Sequence, residues 1–412
     1  MQSDLFVISY WDGPTATRER YAEVAEAGFT VAQVDAGTPG ETMQVLAWCA
    51  EFGLKAIVAD ARVYAGMTED PAWEAAVETV VAAYGDHPAL WGYFIKDEPH
   101  PREFEGLAQI VRAFGERDPE HVAYINLFPN CCSPDQLGTV DYRGHVRAYL
   151  DTVRPTLLSY DNYSLMETYD RPDYYTNLEI IRQEALRAGV PFMNIVLATP
   201  HWLYRDPTPE DMRWQVYTTL AHGAKALAYW TYQTPDWENS RNGPLTIHGK
   251  RTAKWYVIRD LNLELQALAP HLLTLRSTGV WYWPDAPKGT EGETRRLCGE
   301  GLVALIEGGQ DRVRSIGEPL HTEGSRFLIG EFEDREGLPW VMVVNLDRER
   351  PSFVRMTLRT EHRTVSRVMR STGELRPVSE DRGVGPTRPY RDGVYTSFWL
   401  APGDGRLMRF SG

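Results

Sequence analysis

The sequence predicts an α/β protein: a (β/α)8 TIM barrel followed by a small antiparallel β-sandwich domain. Three observations carry that expectation. Up to residue 275, short apolar runs alternate with helix-like segments, and eight such runs can be picked out. Their number and the length of that region fit a closed barrel of about 250 residues. Beyond it the texture changes to short alternating runs punctuated by turn residues, the pattern of a sandwich. The expected division is a catalytic barrel over residues 1–276 and a C-terminal β-sandwich domain over 277–412.

The strand candidates of the barrel are Leu5–Trp11, Thr30–Asp35, Lys55–Asp60, Leu90–Lys96, Val122–Leu127, Thr156–Asp161, Pro191–Ala198 and Lys225–Thr231. Each is short, rich in branched or aromatic residues and bounded by polar turns. Apolar spacing of three and four marks helices such as Thr17–Ala27, Thr42–Phe52, Ala72–Tyr84, Glu103–Phe114, Leu178–Ala188 and Pro209–His222, with Ala253–Leu275 as a long final one. Pro71 and Pro209 sit where first-turn prolines belong. Gly28, Gly53 and Gly189 sit where left-handed caps are expected. The rival architecture is an open doubly wound sheet. Its nucleotide-binding form is weakened because strand one runs into Ser9-Tyr10-Trp11-Asp12-Gly13-Pro14, which is no glycine-rich phosphate loop. In the second region, Arg326–Phe332, Trp340–Leu346, Phe353–Leu358, Val365–Met369 and Val394–Leu400 read as strands of a sandwich of about eight strands. Gly330, Thr372-Gly373, Asp392-Gly393 and Pro402-Gly403 read as its turns.

Composition narrows the function. Of 412 residues, 43% are apolar and 24% charged, which excludes a disordered chain, a collagen and a coiled coil. No apolar run approaches the ~18 residues of a membrane helix, and no membrane association is expected. No basic signal-peptide start precedes the first strand. The net charge is −14, and residues 277–412 are balanced at 20 basic and 20 acidic side chains, so the excess lies wholly in the barrel region. Such a surface repels phosphate backbones, so nucleic acid is not an expected partner. Strongly anionic substrates are disfavoured too, unless one local basic pocket overrides the field. Cys49, Cys131, Cys132 and Cys298 form neither a disulfide framework nor a metal-type spacing, and are expected to be buried or idle thiols. Their usage suits a reducing compartment, which makes the cytoplasm the expected location, with export left open.

Active sites of such barrels lie at the C-terminal strand ends. These ends deliver Trp11, Asp35, Asp60 with Arg62, Asp97 with Glu98 and His100, Asn126, Tyr160 with Asp161 and Tyr163, His201 with Trp202, and Trp230 with Tyr232. The loop after strand eight adds Asp236, Trp237 and Glu238. Sugars have apolar faces and hydroxyl edges, so flat aromatics interspersed with carboxylates and amides suit a carbohydrate cleft. The alternative for any single ring is packing of the barrel rim. The sharpest signal is Trp91-Gly92-Tyr93-Phe94-Ile95-Lys96-Asp97-Glu98-Pro99-His100, an apolar strand ending in two consecutive carboxylates. The plain alternative is a solvated helix N-terminus, where acids are common.

That ending resembles the acid/base strand of (β/α)8 glycoside hydrolases, many of which read Asn-Glu-Pro there. The segments Ala226–Tyr232, Pro244–Thr252, Tyr256–Glu264 and Leu268–Leu273 resemble the end of the barrel in β-galactosidase-like bacterial glycosidases with a C-terminal β-domain. The resemblance implies hydrolysis of an O-glycosidic bond with Glu98 as proton donor, helped by repulsion from Asp97. Two departures are visible. Strand seven, Phe192–Trp202, holds no acid where the large retaining clan has its nucleophile, and Asp97 replaces the asparagine.

Three solutions follow. Another strand supplies the second carboxylate, with Asp161 leading and Asp35, Asp60 and Glu238 behind it. Alternatively the substrate supplies its own 2-acetamido group, oriented by Asp97 and held by a tyrosine such as Tyr160, as in β-N-acetylhexosaminidases. Or the barrel binds a glycan without cleaving it. Trp11, Asn126, His201, Trp202, Trp230 and Tyr232 complete the expected substrate contacts. The histidines are scattered, so no metal site is expected, and no cofactor motif or GxSxG elbow occurs. Arg62 reads as a structural ion pair, or as a uronic acid ligand. The β-domain is expected to be structural, closing one side of the cleft or joining copies into a homo-oligomer, with Trp281, Trp283, Trp340 and Trp399 in its packing.

Overall fold

A computed structural model describes residues 4–283, 303–309, 326–378, 388–390 and 393–412. Cys298 and Asp392 lie outside them.

Eight parallel strands form one sheet: β1 (Val7–Tyr10), β2 (Val31–Val34), β3 (Lys55–Ala59), β4 (Leu90–Asp97), β5 (Val122–Leu127), β6 (Leu158–Asp161), β7 (Phe192–Leu197) and β8 (Ala226–Trp230). Their order is β1-β8-β7-β6-β5-β4-β3-β2. The ring closes between β1 and β2, where Thr30 N donates to Ile8 O at 3.0 Å and the Thr30 hydroxyl links Phe6 O and Ile8 N. The expected (β/α)8 barrel is what the chain forms.

The connecting helices are α1 (Arg18–Glu26), α2 (Pro39–Glu51), α3 (Trp73–Tyr84), α4 (Phe104–Arg117), the short α5 (Pro134–Leu137), α6 (Tyr142–Val153), α7 (Tyr174–Ala188), α8 (Pro209–Ala221) and α9 (Ala253–Leu272). Thr17, Thr38 and Thr208 cap α1, α2 and α8 by accepting a backbone N–H three residues on. Gly28, Gly53 and Gly189 take φ of 73°, 73° and 69° at helix ends. Helix α6 is the one the apolar spacing leaves faint. Its buried stripe, Tyr142, His145, Val146, Tyr149, Leu150 and Val153, has helical spacing but is half Tyr and His.

The barrel interior follows from strand alternation. Val7, Val31, Ile57, Trp91, Val122, Tyr124, Ile195 and Ala228 belong to one buried cluster, and Phe94, Tyr163 and Trp230 pack against it. Gly92 is required at the β4–β5 contact, because a Cβ there would lie 2.4 Å from Val122 O.

By compactness the chain divides into two units, residues 1–206 with 225–263, and 207–224 with 264–412. The second contains two antiparallel sheets. The first comprises β10 (Val303–Gly309), β13 (Ser352–Arg359), β16 (Arg388–Tyr390) and β17 (Gly393–Leu400). The other comprises β9 (Arg276–Trp283), β11 (Phe327–Glu333), β12 (Pro339–Asn345), β14 (Thr364–Val368), β15 (Leu375–Pro377) and β18 (Gly405–Ser411). One core joins them, with Ile329, Val341, Val343 and Met408 from the larger sheet facing Val354, Met356, Val394 and Phe398 from the smaller. That is the expected sandwich, with ten strands among the described residues. Trp281 and Trp283 pack against this core, Trp340 is buried with Nε1 donating to Asp334 at 2.8 Å, and Trp399 stays partly exposed. Gly330 is not a turn residue. It sits inside β11 opposite Met342, where a Cβ would strike Ala221 O at 2.1 Å. Close backbone approach, not a turn, demands glycine there.

Candidate active site

Strand β4 is built to break its own alternation. Phe94 packs inward, while the Tyr93 hydroxyl reaches outward to Asp118 at 2.6 Å. Unbroken alternation would therefore send Asp97 outward. A bulge between Phe94 and Lys96 inserts an extra residue against β5, and Asp97 turns inward instead. Glu98 then takes a left-handed φ of 46°, uncommon for a side chain with a Cβ, while its N–H is held by Asn126 O at 2.8 Å.

Asn126 ties this strand end to β6. Its Nδ2 donates to Asp97 Oδ1 at 3.1 Å and to Asp161 Oδ1 at 2.9 Å. The two carboxylates thus lie no farther apart than those bonds laid end to end. The Asn126 Oδ1 accepts from Ser159 Oγ at 2.8 Å, and Ser159 Oγ lies 3.1 Å from the Tyr124 hydroxyl. The amide of Asn126 is fully engaged inside the protein, so it positions two acids and has no donor left for a substrate.

The electrostatics are one-sided. Among the described residues, Asp97, Glu98 and Asp161 form no ion pair, and the neighbouring Lys96 turns to Glu103 at 3.8 Å. Burial pushes Asp97 up to about 6, opposed by the Asn126 N–H and by Lys96. Burial pushes Glu98 up to about 7, and the charges of Asp97 and Cys131 push the same way. Asp161 is driven well above the usual carboxylate range by burial, then by Glu98 and Asp97. Three desolvated carboxyls sharing one site hold protons near neutral pH, and their ionisations belong to the group.

An aromatic wall stands beside them. Trp230 lies 5.9 Å from Trp11, 6.1 Å from Tyr163 and 6.2 Å from Trp237, centroid to centroid. His201 sits among Trp202, Tyr204, Trp230 and Trp237 at 4.9–5.8 Å. Its Nδ1–H donates to Thr199 O at 3.2 Å, burial lowers its pKa, and the neutral ring keeps Nε2 as an acceptor. The Trp230 Nε1 is buried with no partner among the described residues. Trp202 is 55% exposed and Trp237 38%. Exposed indole faces beside an unpartnered indole N–H suit a ring with apolar faces and hydroxyl edges.

Several expected contacts fall away from this cluster. Tyr160 is not at the cleft: Ser159 and Asp161 point inward to Asn126, so Tyr160 faces the helix layer, buried near Tyr142 and Tyr174. Tyr232 is likewise packed outward, accepting from Trp255 Nε1 at 3.0 Å and stacking near Tyr10 and Phe29. Asp60 is held by Arg62 through two bonds of 2.8 and 2.6 Å and by the Tyr84 hydroxyl at 2.8 Å. That makes Arg62 a structural ion pair. Asp35 at the end of β2 and Glu238 in the loop after β8 are exposed, and neither bonds to the three acids among the described residues. Tyr163, Tyr204 and Trp237 belong to the wall although the expected contacts omitted them. Tyr163 was legible, since it lies two residues beyond Asp161 and so shares its face.

Cys131 and Cys132 are half-buried free thiols beside the acids. Among the described residues no group of three His, Cys, Asp or Glu side chains could hold a metal, and no helix is long and apolar enough to cross a membrane.

No family model and no curated protein matches the sequence. Solved structures do match the fold. A protein described as a glycoside hydrolase aligns over 99% of this chain and 92% of its own, with TM-score 0.58 and 12% identity. A glycoside hydrolase family 5 protein of Bacteroides vulgatus aligns over 99% and 89%, with TM-score 0.54 and 12% identity. The β-galactosidase of the psychrophilic Marinomonas ef1 aligns over 67% of this chain, with TM-score 0.52 and 11% identity, and this chain spans 63% of its length. The chain is similar in fold to glycoside hydrolases with a TIM barrel.

Proposed function

We propose that the chain hydrolyses O-glycosidic bonds, with Glu98 as the proton donor and Asp161 as the second carboxylate. One observation carries this reading: three carboxyls from the ends of β4 and β6 meet across Asn126 of β5 with no ion pair among the described residues, and the one on the left-handed residue is pushed up to about 7. A proton donor must be neutral at working pH yet ready to give its proton up, and Glu98 meets both conditions. As the bond between the anomeric carbon and the leaving oxygen breaks, the Glu98 proton passes to that oxygen. Asp161, ionised in the microstate of the coupled group that keeps the proton on Glu98, either attacks the anomeric carbon or takes a proton from the attacking water. Asn126 holds Asp161 in place and donates to its charged form. The aromatic wall packs against the sugar ring.

A second reading has its own observation. The β4 bulge turns Asp97 into the same site, where it could orient a 2-acetamido group next to Glu98. Tyr160 cannot hold that group, because it faces away; Tyr163 is the inward tyrosine of the same strand end.

The test is a panel of aryl gluco-, galacto-, manno-, 2-acetamido and uronic acid glycosides, both anomers, with wild type and Glu98→Gln. Cleavage of at least one, reduced about 10³-fold or more in the variant, is the expected result. Unchanged turnover in Glu98→Gln rejects the assignment. Activity confined to 2-acetamido sugars selects the second reading, and the anomer first formed, seen by NMR, assigns retention or inversion.

A further inference from the structure

The wall beside the acids carries a positive charge that has no ion pair among the described residues, with the Cys131 thiol, the Tyr204 hydroxyl and the Asp173 carboxyl in its field. Arg171, between β6 and α7, makes no ion pair among the described residues. Its Nε is buried without a partner, and its Nη2 makes only a 3.5 Å contact with the Tyr204 hydroxyl. The guanidinium stands 5.8 Å from the centroid of the Tyr204 ring. That ring packs on Tyr163 at 5.7 Å and on His201 at 4.9 Å, so Arg171 extends the aromatic wall. The backbone fixes the position: Arg171 N donates to Ser164 O at 2.8 Å, and Leu165 bridges Asp170. The nearby Asp173 keeps a buried Oδ1 without a partner. Cys131 is within the electrostatic reach of both Glu98 and Arg171.

Other arginines of the barrel show what a structural role looks like here. Arg62 is chelated by Asp60, and Arg182 by Glu179 through two bonds of 2.7 and 2.5 Å. Arg241 and Arg205, which flank Tyr204, also have carboxylate partners, Glu167 at 3.6 Å and Asp170 at 3.4 Å, so Arg171 differs from both neighbours. A half-buried guanidinium that bonds no carboxylate keeps donors open, and a ligand carboxylate fills them in matching planar geometry.

We propose that the site takes a glycan bearing a carboxylate, a uronic acid, and that Arg171 is the partner of that carboxylate; this rests on the glycosidase reading above. The field of the barrel disfavours anions in general, so a local cation at the wall makes recognition selective rather than merely attractive.

Two measurements on the full chain separate this proposal from the reading beneath it. The first compares kcat/KM for matched aryl uronides and hexosides in wild type, Arg171→Ala and Arg171→Lys. Wild type is expected to prefer the uronide at least tenfold. The uronide-to-hexoside ratio should then fall about 100-fold in Arg171→Ala, mostly through KM, with partial recovery in Arg171→Lys. The second measures calorimetric binding of free glucuronate, galacturonate, a sulfated hexose and neutral hexoses. Uronate binding lost in Arg171→Ala supports the proposal even if no glycoside is cleaved, which would overturn only the glycosidase reading. Preferred cleavage of hexosides, an unchanged ratio in Arg171→Ala, or tighter binding of the sulfated sugar overturns the proposal and leaves that reading standing.

Discussion

Two clusters on the same rim of the barrel hold carboxylates, and their surroundings fit them for opposite roles. At the end of β3, Asp60 meets Arg62 through two charge-assisted bonds and Tyr84 through a third. At the ends of β4 and β6, Asp97, Glu98 and Asp161 share a site with no ion pair among the described residues, and the Asn126 amide links two of them. The first cluster is satisfied and has no proton to exchange near neutrality. The second is desolvated, mutually repelling and holds protons at about 6 and 7. Position at a strand end makes an acid a candidate; the absence of a counter-charge makes it fit for acid–base chemistry.

The largest effect that would sharpen this contrast is at Asp161. Asp161→Asn should lower kcat/KM about 10²–10⁴-fold, measured on the best aryl glycoside. A loss below tenfold on a 2-acetamido sugar would hand the second role to the substrate. Asp97→Asn is next. It removes a like charge beside Glu98, so the Glu98 pKa must fall from about 7 and the alkaline limb of the pH–kcat/KM profile must move to lower pH. Activity at pH 8 should drop about three- to tenfold relative to that at pH 6. A limb that stays in place would mean that Glu98 does not set it.

The satisfied cluster should behave in reverse. Asp60→Asn should leave kcat/KM within about threefold, yet lower Tm by about 2–4 °C, since it breaks a partly buried pair. The smallest effect is a gain. Folded Glu98 holds its proton more tightly than the unfolded chain, whose value is near 4.5. Its contribution to stability is therefore complete below 4.5 and is lost as pH rises to about 7, after which the buried charge is a liability. Glu98→Gln should raise Tm by about 2 °C at pH 8 and leave it unchanged at pH 4, by scanning calorimetry.

Much of this was legible from residues alone. Alternating runs of two periodicities gave the barrel and the sandwich, and a strand ending in Asp97-Glu98 marked the rim to watch. What hid the rest is physical. Tyr160 and Tyr232 fail as contacts because a period of two assigns faces only when the register is known. Asp97 is the converse: simple alternation sends it outward, and only a bulge, invisible in sequence, brings it in. Asp60 stayed a candidate behind Asp161 because the Tyr84 that helps hold it lies on a helix 24 residues on. Arg171 sits in a loop without periodicity, so no spacing singles it out.

The most direct test of Glu98 as proton donor uses leaving groups. A dinitrophenolate departs without a proton, whereas a methylumbelliferyl or alkyl oxygen needs one. In Glu98→Ala, kcat/KM for the dinitrophenyl glycoside should fall less than about tenfold, while that for the poor leaving group falls about 10³-fold or more. Equal losses on both substrates would contradict the account, because a residue that merely shapes the site has no reason to distinguish them.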